Sequence, residues 1–124
     1  MTEPRLNIAG IGLVGGFGLG KEALLNALHN GGKPNGTVPV ANPSGQRDLP
    51  VYQVDVSGVG RFVSAATARR MNRFAKLALL GASLALEDAG WPIPVKRKDV
   101  GLVIASGYGA SKSTFDFLAN EKNH

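Results

Sequence analysis

Gly10-Ile11-Gly12-Leu13-Val14-Gly15 and Gly15–Lys21 are the two stretches whose residue types and spacing could hold a phosphate. The first satisfies G-x-G-x-x-G, in which glycines let the backbone approach a pyrophosphate at a helix N-terminus. That use requires the helix to open at the third glycine. It also requires an acidic residue about 20 positions on, closing a second strand. Here more glycines intervene, and the later stretch is rich in Pro, Gly and Asn. The second stretch satisfies G-x-x-x-x-G-K, but Glu22 stands where a magnesium-binding hydroxyl belongs, and its carboxylate would repel a polyphosphate. A tight strand-to-helix connection accounts for both sets of glycines. A nucleotide-binding α/β domain stays as an alternative.

Other reactive groups are sparse. The chain has no cysteine, which excludes disulfides, thiolate metal sites and cysteine nucleophiles within it. That fits a reducing compartment, and a cytoplasmic location is expected. His29 closes a helical stretch, where a cap or a cation near the last carbonyls explains it. His124 is terminal, and neither histidine has an acid or nucleophile at a suggestive spacing. Ser106 and Ser111 flank a glycine turn, but no G-x-S-x-G elbow is present. Metal-ligand clusters are absent, and no cofactor is expected.

Charge is distributed unevenly. The formal net charge is +5, and no acid lies between Asp55 and Glu87, while Arg61, Arg69, Arg70, Arg73 and Lys76 all fall there. Lys96-Arg97-Lys98 forms a second basic cluster. A solvated face is the plain reading; docking of an acidic partner or of nucleic acid is the sharper one. Aromatics do not interleave with these cations, so a base-stacking platform for nucleic acid is not expected.

The elements that must position these residues follow from hydrophobic periodicity. Arg5–Ile11 reads as a strand, Gly12–Gly20 as a glycine-rich turn, and Lys21–Asn30 as a helix stopped by Gly31-Gly32. Residues 31–50 read as an irregular loop rich in Pro, Gly, Asn and Ser. Val51–Val56 alternates as a short edge strand. A long helix is expected from Thr67 to Gly90, with Ser64 or Thr67 as its cap and Trp91-Pro92-Ile93-Pro94 preventing its continuation. Its spacing would put Arg69, Arg73 and Lys76 on one face, while Gly81, Ala82, Ser83 and Ala85 would let another backbone approach closely. The helix begins basic and turns apolar on all sides, so its second half must lie inside something larger. Val100–Ala105 reads as a strand covered on both faces, Ser106–Gly109 as a turn, and Ser111–Leu118 as a helix.

The order βα, loop, short β, long α, β, α predicts one domain of the α/β class, with a mostly parallel sheet and a buried central helix. The 17 glycines and few aromatics point to close backbone packing in its core. Leu6–Leu19 mimics a signal-peptide core, but it is broken by glycines and runs into an amphipathic helix. No apolar run reaches the roughly 18 residues of a membrane span. The last residues carry no helix stop, and the chain is expected to end in mid-architecture.

Three segments together resemble the N-terminal part of the β-ketoacyl-[acyl carrier protein] synthases, condensing enzymes of the thiolase-like superfamily. Leu6–Val14 with Gly18–Leu24 resembles their first strand, turn and helix. Arg69–Phe74 with Ala85–Gly90 resembles their central helix, and Val100–Gly109 the strand and glycine turn that follow. The resemblance covers nearly the whole chain and implies a partial thiolase-like fold over residues 1–124. It implies a decarboxylative Claisen condensation in fatty acid or polyketide synthesis, an acyltransferase activity. In the family, a cysteine at a helix N-terminus carries the acyl group and two histidines stabilise the enolate. Those groups lie further along the family's chain, so no catalytic residue maps here and the chain alone is expected to be inactive. By resemblance, Tyr108 borders the acyl pocket, and Arg69, Arg70 and Arg73 meet an acidic acyl carrier protein. A homodimer or a complementing C-terminal chain would complete the core. Asn72 stands where an aspartate is common, and Gly15-Gly16 replaces a proline-containing turn. Both departures suggest a divergent branch. A non-catalytic scaffold subunit is a further alternative.

Overall fold

The basic-to-apolar stretch forms two helices rather than one. The computed structural model describes residues 3–121. Helix α2 spans Ala65–Arg70; its cap is Ser64, whose hydroxyl accepts from the Thr67 N–H at 3.2 Å. Met71 and Asn72 then turn extended, and α3 runs from Arg73 to Asp88. The Asn72 carboxamide accepts from the Ala75 N–H at 2.8 Å and opens the new helix. Asparagine competes with the backbone for hydrogen bonds inside a helix but satisfies it at a cap, so the chain breaks here. The single helix expected from Thr67 to Gly90 is corrected accordingly. Its end is as expected: the Gly90 N–H bonds Glu87 O, the Trp91 N–H bonds Leu86 O, both at 2.9 Å, and Gly90 has φ +71. These two bonds make a Schellman motif, which requires the left-handed residue that glycine supplies.

Two small antiparallel hairpins replace the parallel sheet. Strands β1 (Val14–Gly15) and β2 (Gly18–Leu19) pair around Gly16-Phe17 and lead into helix α1, Gly20–Asn30. Strands β3 (Gly36–Asn42) and β4 (Gly45–Val51) pair around Pro43-Ser44. The α/β class with a mostly parallel sheet is therefore not what the chain forms. Arg5–Ile11 and Val100–Ala105 form neither strand nor helix. They border one groove over α3 without pairing with each other. A strand exists only through a neighbour that takes its N–H and C=O groups, and neither segment has one. Residues 52–56 likewise lie outside any strand, beyond the end of β4 at Val51, so the edge strand expected over Val51–Val56 is absent.

The expected irregular loop over 31–50 is instead mostly the β3–β4 hairpin. Its two-residue turn closes on the Asn42↔Gly45 pair, and the ladder runs to Gly36↔Val51. Hydrogen-bonded and non-hydrogen-bonded pairs alternate from there, which puts Pro39 and Pro50 at pairs that ask for no N–H. The hairpin's base is held by Asn35, which bonds both ways with Gln53: its amide donates to Gln53 O at 2.9 Å, and its carbonyl accepts from Gln53 N–H at 2.6 Å.

The central helix α3, expected to be buried, is half-buried here. Among the described residues, only its Leu80 and Ser83, with Val59 of the 3-10 turn Ser57–Arg61, are buried. The last element, α4, spans Ser111–Glu121 and lies where a helix was expected.

Candidate functional site

The glycines that could have cradled a phosphate face a helix instead. A Cβ on Gly10 would lie 2.2 Å from Ala85 O, and one on Gly12 would lie 1.9 Å from Gly81 O. Segment 10–12 therefore runs against the backbone of α3, across Gly81, Ala85 and Ala89 at four-residue spacing. Small residues at that spacing lie on one helix face. The close approach expected at the small residues of this helix is thus made by Gly10 and Gly12, against Gly81 and Ala85. Lys21, the lysine of G-x-x-x-x-G-K, is engaged as well: its ammonium lies 2.5 Å from Asp88 Oδ1.

Asp88 and Glu87 tie this arrangement together. Asp88 also accepts from the Ile11 N–H at 2.9 Å, so one carboxylate joins α3, the N-terminal segment and the start of α1. The Lys21 hydrogen bond, with that of the Ile11 amide second, holds the Asp88 carboxyl below the usual carboxylate range. Glu87 takes the Arg61 guanidinium at 2.8 and 3.1 Å. Neither acid was singled out from the sequence. A signal existed: two acids in the last turn of a helix oppose its dipole, so each needs a cation elsewhere.

The three candidate docking arginines separate. Arg69 and Arg70 end α2, are exposed, and have no hydrogen-bond or ion-pair partner among the described residues. Arg73 begins α3, and its Nη2 donates to Val54 O at 2.8 Å. The break at Met71-Asn72 removes the shared helical face expected for Arg69, Arg73 and Lys76. Arg73 instead lines a cleft of about 540 Å³ between α3 and α4, with Asn72, Phe74 and Leu77 on one wall and Gly109–Ser113 and Asp116 on the other. Tyr108 stands just before that second wall, is 92% exposed and does not itself line the cleft.

The remaining candidates have local roles. His29 Nδ1 lies 2.8 Å from Leu25 O one turn back. The Ser106 hydroxyl accepts from the Gly109 N–H at 2.8 Å and closes the glycine turn, and Ser111 opens α4. His124 lies outside the described residues. Among the described residues, no group of three His, Cys, Asp or Glu side chains could hold a metal ion, and no helix is long and apolar enough to cross a membrane.

Comparison with known proteins gives this scaffold a family. The pattern of the β-ketoacyl synthase N-terminal domain matches residues 4–124. A polyketide beta-ketoacyl synthase 1 of Streptomyces virginiae, so named, is 30% identical over 114 residues, which cover 90% of this chain and 26% of that protein. The chain thus spans about a quarter of the length of the curated relative it matches. No solved structure matches it. With the family pattern running through both glycine segments, both central helices and α4, the chain belongs to the β-ketoacyl synthase family and corresponds to its N-terminal domain.

Proposed function

We propose that this chain supplies the N-terminal scaffold of a condensing enzyme of polyketide or fatty acid synthesis, and that the end of α2 receives its acyl carrier protein. The observation that carries the reading is the pair Arg69 and Arg70: exposed, uncompensated among the described residues, and inside the family match. An acidic carrier would be steered there by charge complementarity, which acts on encounter more than on affinity. Arg73 is assigned a positioning role, because its guanidinium holds Val54 O. Tyr108 would border the acyl pocket once another surface covers it. The chemistry is a thioester exchange followed by loss of carbon dioxide from a malonyl carrier, whose enolate attacks the acyl thioester and releases a thiolate. That thiolate and the histidine pair would come from a complementing C-terminal portion, with a homodimer as the working unit in the cytoplasm.

The test is direct binding of an acidic acyl carrier protein to the purified chain and to the Arg69→Glu/Arg70→Glu variant. Affinity is expected to fall about tenfold in the variant at low salt, with the difference shrinking as salt rises. Equal affinity at low salt would overturn the docking role. The chain alone is expected to release no carbon dioxide from malonyl carrier; measured turnover would sink the scaffold reading.

A further inference from the structure

The loop from Trp91 to Asp99 carries the second basic cluster, which the carrier reading leaves unused. The Arg97 guanidinium lies over the Trp91 ring, 5.3 Å from its centroid. Asp99 holds that guanidinium in turn, with Nε donating to Oδ1 at 2.8 Å and Nη2 to Oδ2. Arg97 is therefore compensated and fixed, and one face of the tryptophan is covered. Beside it lies a depression of about 300 Å³ lined by Trp91, Pro92, Val95, Lys96 and Arg97. Trp91 and Val95 also border the separate groove over α3, so this depression, a short apolar trough, adjoins it. Lys96 and Lys98 are exposed on the same loop and have no hydrogen-bond or ion-pair partner among the described residues.

An apolar trough alone selects nothing, but two free ammonium groups on its loop favour carboxylates and disfavour cations. Nucleic acid fits poorly, because Trp91 is the one aromatic residue of this loop and a single ring makes no platform for successive bases. An anionic membrane fits poorly too, because two free cations fall short of the four to eight of a typical polybasic cluster. We propose that this trough binds an acidic amphipathic segment of a partner protein. A branched or aromatic side chain would lie against Trp91, Pro92 and Val95, with flanking carboxylates on Lys96 and Lys98. The site is separate from Arg69 and Arg70 and does not depend on their role.

Trp91 is the chain's single tryptophan, so its emission reports on the trough directly. The probe is a synthetic peptide of about 12 residues combining Glu with Leu and Phe, titrated into the full chain. A saturable blue shift is expected. The Lys96→Glu/Lys98→Glu variant should weaken binding at least about fivefold, as should raising salt from about 50 to about 300 mM. Peptides with Lys for Glu, or with Ser for Leu and Phe, should give no shift, and Arg69→Glu/Arg70→Glu should bind like the parent. No shift with the Glu peptide, equal binding by the Lys peptide, or undiminished binding by Lys96→Glu/Lys98→Glu would each overturn the proposal. So would a shift given by phosphatidylserine vesicles and not by the peptide, or loss of binding on substitution of Arg69 and Arg70.

Discussion

Asp88 is the residue on which three parts of the chain converge, and its chemistry sets a pH dependence. Its carboxylate accepts from the Lys21 ammonium and from the Ile11 amide, and both bonds exist fully only while it is ionised. These bonds lower its folded-state pKa relative to the unfolded chain. A lowered carboxylate pKa gives stability that is complete above the ordinary carboxylate range and lost as pH falls through the lowered value. Asp88→Asn keeps an acceptor for Ile11 but removes the charge at every pH. The melting temperature of the parent should therefore exceed that of Asp88→Asn at neutral pH, and the gap should close as both are acidified below the ordinary carboxylate range. A gap that stays constant over that range would show that charge plays no part. At this scale the sequence was readable where chemistry has a motif, as in the two glycine patterns, which the structure places against α3 and in a hairpin leading to Lys21. It was silent on Asp88, because its partners Ile11 and Lys21 are far away along the chain and leave no local mark.

The elements were legible where periodicity and caps act locally. Helices α1 and α4 follow from their apolar spacing, and the end of α3 follows from Gly90. The break at Asn72 was not read, because a run of good helix formers on both sides hides a cap placed between them. The hairpin at 36–51 was hidden by its prolines, which forbid a strand only where an N–H must be donated. The contact between the N-terminal segment and α3 depends on glycine at 10 and 12. Gly12→Ala would drive a methyl group to 1.9 Å from Gly81 O, which is backbone and cannot rotate away. The segment must lift off or the helix must shift. A loss of about 1–3 kcal/mol is expected, read from urea unfolding of the variant against the parent. Gly60→Ala meets nothing within 4 Å and serves as the control, with a change near zero. Equal stability of the two variants would mean that segment 10–12 does not lie on the helix as described.

Across the whole molecule, apolar character and burial are out of balance. Only three described residues are buried, while Leu6 is 98% and Val103 95% exposed, on two segments that border one groove. The sequence marked both segments as strands for a sound reason: β-compatible apolar runs are written in residue types. Pairing is not, since it depends on which other chain segment lies alongside, and here none does. The backbone makes this testable. Among the described residues, the amides of 5–10 and 100–105 have no hydrogen-bond acceptor, whereas the Ile11 amide is held by Asp88 and the α3 amides by helix carbonyls. Amide exchange followed by NMR should therefore split sharply within a few residues. Residues 6–10 and 101–105 should exchange near the rate of an unstructured chain, while Ile11 and the centre of α3 are slowed. Exchange at Ile11 should rise in Asp88→Ala with α3 unchanged, which separates that one hydrogen bond from general opening. Uniform protection across 5–11 and 100–105 would instead mean that these segments pair as strands in solution, with each other or with a second copy. Dilution separates those two cases, because only protection by a second copy fades with concentration.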